Sequence, residues 1–162
     1  MAYGYISIGS NIDKEKNTPS SLVALARHFG ELKISSTYES QAMGFEGENF
    51  YNLIVGFASE LPVKSVAKVL KQIEKEHGRT HTCKKFSART LDLDLVLFGD
   101  LVIADGRLQI PRDEITRYAF VLEPLAEIAP DLCHPITGKK YADLWHDYDK
   151  SNLQQVKIEP PW

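Results

Sequence analysis

The sequence predicts one α+β domain built on an antiparallel sheet, and three observations support that prediction. A length of 162 residues suits a single domain. Hydrophobic residues make up 43% of the chain and charged residues 25%, which is typical of a globular protein and excludes a disordered one. Segments of strand and helix period follow one another in the order β-α-β-β-α-β. That order is the split βαβ arrangement of ferredoxin-like sheets, with helices packed on the sheet faces.

The first strand and helix are predicted from alternation and from capping residues. Residues 3–8 alternate with a period of two, which predicts a strand that ends at the turn over 9–11. Thr18 and Pro19 are typical of an N-cap and a first helical position. Apolar residues then follow helical spacing to Gly30, which predicts the end of the helix.

The second half of the pattern has a helix with a clear apolar stripe. It begins at Pro62, ends at Gly78 and buries Val63, Val66, Leu70 and Ile73. The other predicted elements are strands over 31–40, 50–58 and 90–98, a short apolar run over 101–103, and helices over 119–128 and 141–146. The tail from Lys150 onward has no periodicity, so we expect it to be irregular, and no internal linker divides residues 1–162.

Charge and composition exclude several classes of protein. The formal net charge of −3 argues against a general nucleic-acid binder. The charge-free stretch over 49–59 is far shorter than the ~20 residues of a membrane span, and the start lacks the basic and apolar regions of a signal peptide. Cys83 and Cys133 form no CxxC motif. Two such thiols in a chain with a sufficient core favour the reducing cytoplasm.

A basic loop lies directly before a pair of aspartates. No acidic residue occurs between His77 and Leu91. The fixed cations of this loop are Arg79, Lys84, Lys85 and Arg89. A run of charge by itself is more often a solvated surface turn, and that interpretation stays open for the loop taken alone.

The aspartates that follow this loop indicate that the loop belongs to a binding site. Asp92 and Asp94 are two residues apart on a predicted strand, so they share one face, about 6.5–7 Å apart along the backbone. We expect the leucines at 91, 93, 95 and 97 to fill the other face, with Val96 and Phe98 on the aspartate side. Two neighbouring carboxylates on a nearly buried strand need compensation, and magnesium shared with substrate phosphates supplies it. Alternatively, the aspartates cap loops or pair with Arg89.

Loop and strand together are typical of a polyphosphate site. The sequence lacks GxxxxGK[ST] and GxGxxG, which excludes P-loop and dinucleotide-binding folds. It also lacks GxSxG and HExxH, so serine hydrolases and zincins have no support. His81, Cys83, Cys133 and His134 match no common zinc spacing.

The run over 85–99, Lys-Phe-Ser-Ala-Arg-Thr-Leu-Asp-Leu-Asp-Leu-Val-Leu-Phe-Gly, resembles the signature of the 6-hydroxymethyl-7,8-dihydropterin pyrophosphokinase family. The resemblance extends to Ile-Gly-Ser-Asn at 8–11, Phe-Tyr-Asn at 50–52 and Pro-Leu-Ala-Glu-Ile-Ala-Pro at 124–130. It covers about residues 3–145 in one order, and it implies a ferredoxin-like enzyme of folate synthesis. Such an enzyme moves the β,γ-pyrophosphoryl group of ATP to the pterin hydroxymethyl oxygen and releases AMP.

The resemblance also implies a role for each site residue. Asp92 and Asp94 would bind two magnesium ions, and Arg79 and Arg89 would be catalytic arginines. The implied ATP-binding residues are Glu74, His81, Arg89, Leu95, Arg107 and Arg112. The implied pterin-binding residues are Ser40, Gln41, Met43, Phe50, Asn52, Phe86 and Phe120. For Phe50 and Phe120, periodicity alone favours simple core packing. The resemblance further suggests a monomer, while the cysteines favour the cytoplasm, and the net charge and the lack of a membrane span predict no nucleic-acid or membrane partner.

Several residues depart from the family pattern near the implied site. Phe86 stands at a usual tryptophan, His81 at a usual arginine, and Ser87-Ala88 at a usual Gly-Pro. The other departures are Gln41-Ala42 for Pro-Pro, Arg112 for histidine, and Tyr118 for an arginine that Arg117 could replace. Because the metal pair and both arginines remain, we expect phosphoryl transfer to be retained. The alternatives are a paralogue with an altered substrate or lost catalysis, and an RNA-binding module on the same fold.

Overall fold

The computed structural model describes residues 1–41, 48–78 and 91–162. The strands are β1 (Ala2–Ser10), β2 (Lys33–Ile34), β3 (Thr37–Ser40), β4 (Phe50–Ser59), β5 (Asp92–Phe98), β6 (Ile103–Asp105), β7 (Leu108–Ile110) and β8 (Gln155–Ile158). The helices are α1 (Lys14–Phe29), α2 (Val63–Glu76), α3 (Glu114–Arg117), α4 (Ala119–Ile128) and α5 (Tyr141–Asp147).

The main sheet has the order β5-β1-β4-β3-β8, and β2 also pairs with β4. Each of these pairings is antiparallel. The first four strands in this order reproduce the predicted ferredoxin-like arrangement, with β8 added beside β3. The hairpin of β6 and β7 forms a separate small sheet.

Each face of the sheet is covered by its own set of helices. Ile6, Ile8 and Leu53 pack with Leu25 of α1 and with the predicted stripe of α2. On the other face, Tyr5 and Ile54 pack with apolar residues of α3, α4 and α5. The second face, which we call the α4 face, carries the aspartates and, among the predicted pterin residues, Ser40, Phe50 and Asn52.

Strand β5 contains a bulge that changes the predicted side-chain pattern. Tyr5 of β1 faces Leu97, whereas the next residue, Ile6, faces Leu95. Val96 is therefore an extra residue in β5, and alternation reverses after it. Leu97 packs on the α4 face and Phe98 in the core under α1 and α2, so the prediction for these two side chains was wrong.

Helix α1 begins earlier than the sequence predicted. Its first residue is Lys14, after Asp13 in a left-handed conformation with φ of 48°. The Asp13 carbonyl accepts the N–H groups of Lys16 and Asn17 at 3.0 and 2.8 Å. Pro19 consequently lies inside the helix, so Thr18 is not an N-cap. Gly30 does end the helix, with φ of 78°.

The predictions were also wrong for two segments late in the chain. The hairpin of β6 and β7, into which the run over 101–103 leads, was not predicted, and the tail expected to be irregular contains β8. Helices α4 and α5 lie where they were predicted, to within one residue. Among the described helices, none combines the length and the apolar character needed to cross a membrane.

Candidate active site

Two aspartates of β5 form the acidic part of the site. Asp92 and Asp94 lie on the α4 face, and both are half-buried. Burial is the largest cause that raises the pKa of Asp94 to about 8, and the charge of Asp92 is the next. Arg112 opposes this rise, while Glu74 and Glu114 add to it. A cation beside the two aspartates would stabilise the ionised form of Asp94.

Glu74 brings a third carboxylate to the same strand. It lies in the last turn of α2, and its Oε2 accepts the N–H of Leu93 at 2.7 Å. Within the described ranges, no group of three acidic, histidine or cysteine side chains has the geometry of a metal site. A metal here would have Asp92 and Asp94 as its protein ligands and would take the others from substrate or water, which is the usual coordination of magnesium.

Arg112 is held beside the aspartates by its backbone and its side chain. Its N–H donates to the Val96 carbonyl at the bulge, at 3.1 Å. Its guanidinium donates to both carboxylate oxygens of Glu114, at 2.7 and 3.3 Å. Burial lowers the pKa of Arg112, but the Glu114 hydrogen bond and the charge of Asp94 outweigh this effect and raise it. Arg112 is thus a permanent cation close to Asp94.

Two of the predicted pterin residues, Phe50 and Asn52, lie two strands away from the aspartates on the same face. In one row across the sheet, Asp92 faces Gly9, and Gly9 faces Asn52. The backbones of Asp92 and Asn52 are about 10 Å apart, since neighbouring strands are about 4.8 Å apart. A Cβ on Gly9 would lie 3.4 Å from Asn52 Oδ1 and 4.0 Å from Phe50 Cδ1. Gly9 therefore leaves a gap between the acidic pair and Asn52.

Asn52 is oriented by the adjacent strand. Its Nδ2 donates to Ser40 Oγ at 2.7 Å. Ser40 in turn faces Phe50 across the ladder, so Phe50, Asn52 and Ser40 share the α4 face. Because the hydrogen bond to Ser40 fixes the amide, Oδ1 is presented toward the gap above Gly9.

Phe120 approaches from the helix that covers this face. It lies in the first turn of α4, and its ring stacks on that of Tyr118, with centroids 5.1 Å apart and planes inclined by 15°. Arg117 pairs with Asp113 at 3.1 Å and lies over the Tyr118 ring. It is therefore held at the surface, and these contacts do not direct it toward the aspartates.

The described contacts do not bring some of the other predicted residues to the aspartates or to Asn52. Leu95 is 5% exposed and packs in the core under α1 and α2, so only its backbone is available to a nucleotide. Arg107 is exposed at the tip of the β6–β7 hairpin. Its neighbour Asp105 pairs with Lys64 at the start of α2, about 15 Å along that helix from Glu74. Gln41 is exposed, and its N–H donates to the Gln154 carbonyl at 3.4 Å.

Five predicted site residues lie outside the described residues: Met43, Arg79, His81, Phe86 and Arg89. Their assignments stay predictions. Sequence reasoning missed Glu114, which fixes the Arg112 guanidinium. The available signal was an acidic residue two positions after an arginine, and it is too common to single out a site.

Comparisons with known proteins point to a single family. The family model described as 7,8-dihydro-6-hydroxymethylpterin-pyrophosphokinase (HPPK) matches residues 5–130. A 2-amino-4-hydroxy-6-hydroxymethyldihydropteridine pyrophosphokinase of Aquifex aeolicus is 34% identical over 141 residues, which cover 86% of this chain and 88% of that protein. The protein of the same name from Haemophilus influenzae is 34% identical and covers 83% of this chain and 86% of its own length.

Longer proteins match as well. The folic acid synthesis protein fol1 of Pneumocystis carinii is 36% identical over 94% of this chain, which spans 21% of that protein. A crystal structure of a Plasmodium falciparum HPPK-DHPS triple mutant with SDX-DHP has a TM-score of 0.76 at 13% identity. The match covers 97% of this chain and 45% of the Plasmodium falciparum chain, and it supports the fold described above. The chain belongs to the 7,8-dihydro-6-hydroxymethylpterin-pyrophosphokinase family.

Proposed function

We propose that this chain transfers a pyrophosphoryl group from ATP to the hydroxymethyl oxygen of 6-hydroxymethyl-7,8-dihydropterin and releases AMP, in folate biosynthesis. One observation supports this most strongly. The carboxylate pair of β5 and the group of Asn52 and Phe50 share one sheet face and are separated by the gap at Gly9. Such an arrangement suits a phosphate chain at one end and a flat heterocycle at the other.

The aspartates suit magnesium in donor chemistry and in charge. Both donors are hard carboxylate oxygens, and the pKa of Asp94 is raised because burial and Asp92 disfavour its charge. We assign two ions to Asp92 and Asp94, as the family resemblance implies. Magnesium, when bound, neutralises negative charge on the phosphates. Glu74 orients the strand that carries both aspartates through its bond to the Leu93 N–H.

Asn52 and two aromatic rings account for pterin binding. Asn52 Oδ1 faces the gap and accepts a ring N–H, while its amide nitrogen is fixed by Ser40. Phe50 from the sheet and Phe120 from α4 supply apolar ring faces, which favour stacking on a flat heterocycle. We assign Gln41, Met43 and Phe86 to the same substrate.

Positioning and electrostatics carry the reaction, because no described side chain beside Asp92 and Asp94 is an evident general base for the hydroxyl proton. Arg112 is a fixed cation near the aspartates. We assign Arg79 and Arg89 to the charge that develops on the transferred group, and Glu74, His81, Leu95 and Arg107 to the nucleotide. The enzyme acts as a monomer in the cytoplasm. The monomer rests on the resemblance, and the compartment rests on the two cysteines, which form no CxxC motif in the sequence.

The test is to mix the protein with Mg-ATP and 6-hydroxymethyl-7,8-dihydropterin and to quantify AMP and ADP. We expect one AMP for each pterin pyrophosphate formed. In a parallel reaction, Asp94→Asn should lower the rate by at least about a hundredfold, since metal-assisted stabilisation of phosphoryl transfer amounts to several kcal/mol. Pterin binding without AMP formation by the wild type would refute the proposal and favour a paralogue with lost catalysis.

A further inference from the structure

The last strand, β8, lies outside residues 5–130, which the family model matches, yet it borders the proposed pterin site. Gln155 of β8 faces Ser40, and Ser40 faces Phe50. Side chains opposite one another in an antiparallel ladder share a face, so the Gln155 side chain lies on the α4 face in one row with Ser40 and Phe50.

The Gln155 amide reaches the start of α4. Its Nε2 donates to the Ala119 carbonyl at 3.1 Å and to Glu123 Oε1 at 2.7 Å. Ala119 directly precedes Phe120, and Glu123 is one turn further along the same helix. Both amide hydrogens are used, and the second bond is charge-assisted and short.

The opposite end of α4 is anchored separately. Glu127 accepts hydrogen bonds from Ser36 and from the Tyr38 hydroxyl. Gln155 therefore attaches the start of α4 to the sheet, as Glu127 attaches its end. The attachment at Gln155 is the one beside Phe120.

We propose that Gln155 is a positioning residue that sets the separation between Phe120 and the sheet residues Phe50 and Asn52, and thereby the affinity for the pterin. This inference rests on the proposed function, because it takes Phe120 and Phe50 as the two ring contacts. Gln155 does not touch the substrate. It acts by holding the first turn of α4 over the site.

The experiment compares Gln155→Leu and Gln155→Glu with the wild type. Leucine removes both donors, while glutamate also places a carboxylate against Glu123. The control is Val156→Thr, which changes a 62% exposed residue on the other face of the same strand. Each protein is assayed for kcat and for both KM values. The Kd of 6-hydroxymethyl-7,8-dihydropterin is measured by fluorescence with magnesium and α,β-methylene-ATP present.

We expect the KM and Kd of the pterin to rise about tenfold in both Gln155 variants, with kcat and the KM of ATP within about twofold, since the lost hydrogen bonds act on one substrate only. Glu123→Gln, which leaves β8 intact, should give a smaller rise of about threefold in the same two constants. Should the Gln155 variants fail to fold, this third variant still tests the proposal.

A pterin Kd within twofold of wild type in the folded variants would overturn the inference. So would a proportional loss of kcat and of affinity for both substrates, because that result indicates a merely structural role. The Kd comparison does not need turnover. A wild type that binds the pterin without forming AMP would therefore refute the proposed function, while the ratio of Kd values still tests Gln155.

Discussion

At the scale of single residues, Gly9 separates the two halves of the site. It has no side chain at the point where one would stand between Asp92 and Asn52. Replacing Gly9 with valine fills this gap, while valine is well suited to a strand. We expect the KM of the pterin to rise about tenfold to a hundredfold, since overpacking costs about 1–3 kcal/mol. Steady-state kinetics and a melting curve measure both effects.

A second glycine of the same strand provides the matched control. A Cβ on Gly4 would lie 2.7 Å from two ring atoms of Phe57 and 3.2 Å from the Leu97 carbonyl oxygen, away from the site. Gly4→Ala should lower the melting temperature, while the KM of the pterin stays at the wild-type value. A Gly9→Val protein that is destabilised like Gly4→Ala but keeps the wild-type KM of the pterin would show that the gap at Gly9 has no role in binding.

At the scale of elements, α4 depends on Glu127 for its position. Tyr38, which is 1% exposed, donates its hydroxyl hydrogen to Glu127 at 2.8 Å, and Ser36 donates from Oγ at 2.7 Å. Burial and this hydrogen bond raise the pKa of Tyr38. We expect Glu127→Ala to lower the free energy of unfolding by about 2–4 kcal/mol, because it leaves a buried hydroxyl without its acceptor. Urea titration measures the change.

Glu127→Gln keeps an acceptor oxygen at the same position. Its loss in the free energy of unfolding should therefore be less than half of the loss in Glu127→Ala. A loss below about 0.5 kcal/mol for the alanine variant would show that Glu127 behaves as an ordinary surface residue.

The elements also show where sequence reasoning succeeds and where it stops. The stripe of α2 and the bounds of α4 follow from periodicity and from Pro130, and both were confirmed. The bulge at Val96 was not predictable, because Asp-Leu-Asp-Leu-Val-Leu-Phe looks like regular alternation and the extra residue is defined only by pairing with β1. Strand β8 was missed because its pairing with β3, rather than its own propensity, makes it a strand.

The same limit applies to the site. Asp92, Asp94 and Asn52 were predicted because motifs and family resemblance mark them. Gln155 was not, since its contact with Ala119 joins positions 36 residues apart and leaves no pattern in the sequence.

At the scale of the whole molecule, stability depends on the charge of Asp94. Its pKa is 3.8 in the unfolded chain and about 8 in the folded one, raised by burial and then by Asp92. The folded state thus keeps a proton that the unfolded chain loses. Asp94 stabilises the metal-free protein fully below about pH 4, and this contribution is lost as the pH rises to about 8.

Magnesium should reverse this loss, because it binds the ionised carboxylate. We expect magnesium to raise the melting temperature more at pH 8 than at pH 5, and Asp94→Asn to abolish that difference. Calorimetry of both proteins at both pH values measures it. Burial lowers the pKa of His134, which has the opposite effect on stability, but His134 is present in both proteins and cancels in the comparison. Equal magnesium shifts in wild type and variant would remove Asp94 from the metal site.

The contacts that build the acidic half of the site have a second consequence, for solubility. Among the described strands, β5 is the last on its side of the sheet, and an edge strand can template the addition of a strand from another molecule. Here Glu74 occupies the outward N–H of Leu93, and the Arg112 N–H occupies the carbonyl of Val96 within the bulge. A foreign strand would find neither group available and the backbone out of register. Glu74 and Arg112 therefore also protect this edge against aggregation.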